Sequence, residues 1–155
     1  MGVNVIILAA GQGTRMNSDL PKVLHPLGGA PLVVHALKAA AALDPARVVV
    51  VTGTGAEAVE AAVTDWTPEA VCVRQAEQLG TGHAVQQAQQ ALAGATGPAI
   101  VLYGDTPFVR PGTLQAMQAA QADHAVVVLG FRPADPGRYG RLVTRGALLD
   151  RIVEW

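Results

Sequence analysis

The hydrophobic positions along the chain fall into two kinds of run. Short stretches of Val, Ile and Leu, such as Val3–Ala9, Arg47–Thr52, Ala70–Arg74 and Pro98–Tyr103, read as strands, Val3–Ala9 as one buried on both faces as in parallel sheets. Between them lie longer stretches rich in Ala, Leu and Gln. Pro31–Leu43 carries Leu32, His35, Ala36 and Ala39 at helical spacing, with Pro31 suited to a first turn. Ala56–Val63, Thr81–Ala93 and Pro111–Ala122 are further helix expectations. His124–Phe131 reads as a fifth strand, and Arg141–Thr144 with Leu148–Val153 as a hairpin around Arg145-Gly146-Ala147. No closing helix follows, and no fixed-period repeat or linker is visible.

Strands alternating with helices predict an α/β fold, with helices on both faces of a mostly parallel sheet. In such folds ligands bind at the carboxyl ends of the strands. The glycines after the first strand and the Asp after the fourth therefore become the positions to read for chemistry.

Composition narrows the class. The 155 residues suit one domain with a packed core, and half of them are apolar. A formal charge of -1 gives no bulk attraction to nucleic acid or to an anionic membrane, so a phosphate ligand must be held locally. The lone cysteine, Cys72, cannot form an internal disulfide and reads as a small buried hydrophobe. The apolar runs are too short to span a bilayer and no leader pattern precedes the first, which predicts an unprocessed cytoplasmic protein.

Leu8-Ala9-Ala10-Gly11-Gln12-Gly13-Thr14-Arg15-Met16 puts small residues and free backbone N–H groups directly after a strand, where a phosphate can approach closely. Gly-x-Gly alone is a weak signal, equally fit for an ordinary turn, and Met16 breaks the dinucleotide pattern. Arg15 and the Lys of Leu20-Pro21-Lys22 place two cations beside the loop, either clamping phosphates or standing as solvated surface charges. Gln75 and Gln78 serve equally as base-reading amides or as a polar loop before a helix. Thr81 suits a helix cap, a nucleotide contact or both. Asp105 sits where a carboxylate can hold a metal, although Gly-Asp-x-Pro also makes a good turn. The four histidines, His25, His35, His83 and His124, lack metal-ligand spacing, and His83 reads as packing or support. No Ser-His-Asp or Cys-His grouping is present.

The glycine loop with Leu-Pro-Lys, then Gln75-Ala76-Glu77-Gln78-Leu79-Gly80-Thr81-Gly82-His83-Ala84, then Tyr103-Gly104-Asp105, resembles the bacterial N-acetylglucosamine-1-phosphate uridyltransferase family. The likeness runs to Tyr139-Gly140-Arg141 and Ile152-Val153-Glu154. It implies a Rossmann-like uridylyltransferase domain, which in that family precedes an acetylating left-handed β-helix. The implied substrates are UTP and N-acetylglucosamine-1-phosphate, with Mg²⁺ as cofactor and UDP-N-acetylglucosamine, a cell-wall precursor, as product.

By the same resemblance Leu8, Ala9, Ala10, Gly11, Gly13, Gln75, Gln78, Gly80 and Thr81 surround the nucleotide. Arg15 and Lys22 neutralise the reacting phosphates, Asp105 binds Mg²⁺, and Tyr103, Gly104, Gly140 and Glu154 meet the sugar. Family members continue beyond this chain, with an asparagine that completes the metal site, another that meets the sugar, and then the β-helix. The expectation is thus one nucleotidyltransferase domain over 1–155, incomplete at its C-terminal end and without an acetyltransferase. Trimerisation through the β-helix does not carry over, whereas an exposed sheet edge can drive self-association. The alternatives are a nucleotidylyltransferase for another sugar phosphate or for the molybdenum cofactor, and a nucleotide-binding fragment without turnover.

Overall fold

The computed structural model describes residues 2–13 and 16–154. Its centre is a four-stranded sheet made of β1 (Asn4–Ala9), β4 (Arg47–Thr52), β5 (Val71–Arg74) and β6 (Ala99–Tyr103). The strand order is β5-β4-β1-β6 and every pairing is parallel. The intervening helices are α1 (Leu32–Ala41), α2 (Ala56–Trp66) and α3 (Thr81–Gln87), and α4 (Pro111–Gln121) follows β6. The expected alternation and parallel sheet are thus present. Among the described residues no helix is long and apolar enough to cross a membrane.

The period-2 alternation of strand side chains divides the core into two layers. Val5, Ile7 and Ala9 of β1 join Val48, Val50, Ile100 and Leu102 on one face, packed against Val33, Val34 and Leu37 of α1, Val59 and Val63 of α2 and Leu114 of α4. Ile6, Leu8 and Ala10 join Val49 and Val51 on the other, against Ala84 and Ala88. One face is covered by three helices, the other by the seven-residue α3 and the turns after it. Each fully buried Val, Leu or Ile stabilises the fold by roughly 1.5–3 kcal/mol relative to exposure. The start of β1 is pinned by the buried Asn4, whose Nδ2 donates to Thr96 O at 3.2 Å.

Three local expectations are revised, and one element is new. The helix expected to reach Ala93 ends at Gln87, after which the backbone tightens into turns such as Ala88 N to Val85 O at 3.1 Å. The helix that begins at Ala56 runs on to Trp66, beyond the Val63 expected. A small antiparallel pair absent from the sequence reading, β2 (Pro26–Leu27) with β3 (Ala30–Pro31), turns at Gly28 and Gly29. His124–Phe131 is not a strand: it joins no ladder, and Val126 and Phe131 are 74% and 66% exposed. Its alternating apolar residues need a covering layer, which the described residues do not supply.

The C-terminal hairpin is as expected: β7 (Arg141–Arg145) pairs with β8 (Leu148–Val153), with a register irregularity between Val143 and Thr144. It hydrogen-bonds to no other strand among the described residues.

Candidate functional site

From β1 the chain runs outward through β4 and β5, then returns to place β6 on the other side of β1. This reversal of strand order opens a crevice beyond the carboxyl ends of β1 and β6. A cleft of about 370 Å³ occupies that place.

One wall is the glycine loop. Gly13 has φ 62°, and a Cβ there would lie 2.6 Å from Lys22 Cβ, so only glycine lets the loop close onto the Leu-Pro-Lys segment. Lys22 opens a short 3₁₀ turn, Lys22–Leu24, anchored by the buried Val23. Its Nζ donates to Asp105 Oδ2 at 2.6 Å. Asp105 follows β6 through Gly104, whose N–H donates to Leu8 O at 2.9 Å and ties the two strand ends together. With 35% and 29% of the two side chains exposed, the ion pair contributes only about 0–1 kcal/mol to stability. What it does is hold a cation and a carboxylate at fixed places in the cleft.

The opposite wall follows β5. Gln75 continues the strand pairing by one bond, N to Thr52 O at 2.8 Å, and is 4% exposed. Its Nε2 lies 3.2 Å from Gly80 O and 3.0 Å from His83 Nδ1. Gln78 Nε2 donates to Ala10 O at 2.9 Å and so braces this wall against the glycine loop. That brace needs Gly53, at which a Cβ would lie 2.7 Å from Ala10 O and 2.8 Å from Gln78 Nε2. The capping position of α3 is Gly80, with no side-chain capping bond, so Thr81 lines the cleft without acting as the cap.

The cleft brings together Leu8, Ala10, Gly11, Gly13, Lys22, Gln75, Gln78, Gly80, Thr81, Tyr103 and Asp105. Ala9 is turned into the core, as the alternation along β1 requires, and does not line the cleft. Gly104 packs beneath the cleft, where a Cβ would lie 3.2 Å from both Leu8 O and Val23 Cγ1. Gly140 and Glu154 are neighbours across the hairpin, the Glu154 carboxylate oxygens lying 3.1 and 3.2 Å from where a Gly140 Cβ would be, and neither lines the cleft. Arg15 lies outside the described residues.

Met16, Val23 and Ala84 line the cleft and Gly53 supports it, yet the sequence reading gave none of them a role in the site. The signal for Gly53 was available, since Thr52-Gly53-Thr54-Gly55 repeats the pattern of glycines straight after a strand. Val23 and Ala84 carry no chemical signal and are found only by packing.

Behind the Gln75 wall, Arg74 clasps Glu60 of α2 through Nε to Oε1 and Nη2 to Oε2, both at 2.8 Å, and Thr52 Oγ1 donates to the same carboxylate at 3.0 Å. The Arg74 hydrogen bonds hold the Glu60 carboxyl below its ordinary range, outweighing the opposing effect of burial. Burial, with the Glu60 charge nearby, pushes the half-buried Cys72 thiol up, which disfavours the nucleophilic thiolate. Among the described residues no group of three or more His, Cys, Asp or Glu side chains is placed to hold a metal, so the cleft offers Asp105 as a single carboxylate donor.

Residues 5–154 match the family model of the MobA-like NTP transferase domain. The chain is 72% identical over 155 residues to the bifunctional protein GlmU of Dinoroseobacter shibae, covering 99% of this chain and 34% of that protein. It is 66% identical over 153 residues to the bifunctional protein GlmU of Cereibacter sphaeroides, with 99% and 34% covered. The chain thus spans about one third of the length of these relatives. Among solved structures, HddC from Yersinia pseudotuberculosis superposes with a TM-score of 0.79 at 23% identity, over 99% of this chain and 69% of that one. A UDP-glucose pyrophosphorylase complexed with UDP-glucose superposes with a TM-score of 0.76 at 20% identity, over 99% and 69%. At that identity the two structures speak for the fold.

Proposed function

This chain belongs to the MobA-like NTP transferase domain family, and from that premise we propose that it is the nucleotide-binding part of a uridylyltransferase acting on UTP and N-acetylglucosamine-1-phosphate. In the reaction a phosphate oxygen of the sugar phosphate attacks the α-phosphorus of UTP. The bond from that phosphorus to the bridging oxygen breaks, giving UDP-N-acetylglucosamine and pyrophosphate.

The observation that carries this reading is the convergence, in one cleft, of the glycine loop, the Lys22–Asp105 pair and the Gln75–Thr81 wall. Phosphoryl transfer asks little covalent chemistry of a protein and depends on alignment and charge neutralisation. Gly11 and Gly13 let the backbone approach phosphates, Lys22 supplies positive charge to the α-phosphate and to the leaving pyrophosphate, and Arg15 is assigned the same role by the resemblance. Gln75, Gly80 and Thr81 face the base and ribose, with Gln78 holding their wall against the loop. Asp105, the carboxylate that lines the cleft and now meets the Lys22 ammonium at 2.6 Å, is the residue that would hold a hard divalent cation. Mg²⁺ is bound through one or two carboxylates with phosphate oxygens completing its shell. When bound, it would add charge stabilisation to that of Lys22.

Calorimetric titration of the chain with UTP, CTP and ATP in Mg²⁺ tests the nucleotide assignment. Selective UTP binding is the expected result, and equal binding of all three would remove uridine from the proposal.

A second reading is favoured by one feature. Tyr103 lines the cleft but Gly140 and Glu154, assigned with it to the sugar, do not. On that geometry the chain binds nucleotide and leaves the acceptor site unassembled. Pyrophosphate release dependent on N-acetylglucosamine-1-phosphate would exclude this reading, and nucleotide binding without release would support it.

A further inference from the structure

Gln75, which lines the cleft, leads a row of side-chain contacts to His83 and Gln87 of α3. Gln75 Nε2 reaches Gly80 O and His83 Nδ1, while Gln87 Nε2 lies 3.1 Å from both His83 Nε2 and the His83 backbone oxygen. With both amides turned this way, an NH₂ donor faces each ring nitrogen. A neutral imidazole accepts at only one of them. One amide must therefore turn, and the orientation of an amide is decided by its hydrogen-bond network.

Burial decides which one. Turning Gln75, at 4% exposure, would set its carbonyl against Gly80 O away from water. Gln87 is half-buried on α3, where water can take over the His83 carbonyl. Gln87 is the amide that turns: its Oε1 accepts from His83 Nε2–H, and His83 Nδ1 accepts from Gln75. Both N–H groups of Gln75 are then committed, and its Oε1 takes no hydrogen bond among the described residues. That carbonyl is the polar group Gln75 can offer a ligand in the cleft it lines.

An acceptor discriminates between pyrimidines. Uracil carries an N–H at ring position three, whereas cytosine carries a lone pair there. We propose that His83 is a positioning residue for base selection, accepting a hydrogen bond from Gln75 and so holding its carbonyl ready for uracil. The proposal rests on reading the cleft as a uridine site, and its test separates the two.

Imidazole ¹⁵N resonances of the wild-type chain are expected to report the neutral tautomer protonated on Nε2; protonation on Nδ1 instead would overturn the proposal without any variant. The ratio of CTP to UTP dissociation constants is then compared by calorimetry for the wild type, His83→Leu and His83→Asn. His83→Leu is expected to lower the ratio about fivefold, the worth of one orienting hydrogen bond. His83→Asn, whose Oδ1 stands close to the place of the imidazole Nδ1, restores it. A residue that only packs would lower both affinities and leave the ratio unchanged, so an unchanged ratio in the leucine variant, or no rescue by asparagine, defeats the role of His83. A wild type with no preference for UTP defeats the uridine reading and the proposal with it.

Discussion

β1 and β8 are both six-residue strands made mainly of apolar side chains, yet every residue of β1 is buried and every residue of β8 is exposed. β1 lies between two parallel neighbours and beneath helices on both faces. β8 pairs with β7 alone, and Leu148, Leu149 and Ile152 remain 63%, 40% and 49% exposed. Apolar composition is therefore not burial: a two-stranded ribbon has no second layer, and such ribbons are marginal by themselves. The same contrast separates the chemistry. The nucleotide wall and Asp105 follow strands of the central sheet, with Lys22 on a 3₁₀ turn beside them, whereas Gly140 and Glu154 hang from the hairpin.

The largest effects should fall on the buried side of this comparison. Asp105→Asn and Lys22→Met are each expected to reduce pyrophosphate release by roughly 10²–10³-fold, the usual cost of losing one group that stabilises transition-state charge. Their melting curves should barely move, because the partly exposed ion pair contributes little. A large drop in melting temperature would instead make the pair structural.

Leu114→Ala, which empties a fully buried position on α4, should cost about 2–5 kcal/mol in denaturant unfolding. Leu149→Ala in β8 should stay within about 0.5 kcal/mol. Equal costs would erase the contrast between the two regions. Gly53→Ala should come next, at about 1–3 kcal/mol, because the added methyl group meets a backbone oxygen. It should also weaken nucleotide binding, since Gln78 loses its hold on Ala10; unchanged affinity would show that the brace does not shape the cleft.

The smallest effect is set by pH. Glu60 has its carboxyl lowered by Arg74, so its contribution is fully present above the ordinary glutamate range and is lost as pH falls through the lowered value. Wild type should therefore be more stable than Glu60→Gln near neutrality, and the two should converge on acidification below about pH 4. Curves that stay parallel would show that the clasp does not contribute.

Much of the buried region was legible because its signals are local. A β-branched run bounded by glycine marked β1, a second β-branched run marked β4, and Pro31 marked the start of α1. Gly11, Gly13, Gln75, Gln78, Gly80, Thr81, Lys22 and Asp105 belong to motifs that fell into one cleft. His124–Phe131 misled because alternation specifies a strand only when a neighbour completes the ladder and a layer covers one face. The stretch after Gln87 misled for a different reason. Its Ala and Gln residues have good helix propensity, but propensity alone does not prolong a helix whose fully buried contacts, Ala84 and Ala88, span little more than one turn.

By itself the sequence determined the alternating elements, the glycine loops and the residue types able to meet a nucleotide, because backbone preference and side-chain period are properties of neighbouring residues. Tertiary structure alone decided that β6 lies beside β1 and so brings Asp105 within 2.6 Å of Lys22, across 83 positions of sequence. It also decided that Gln78 braces the loop where Gly53 leaves room, and that the Gln75 amide meets Gly80 O and His83 Nδ1. These are contacts between segments distant in the chain, and their geometry follows from how the sheet is ordered and packed.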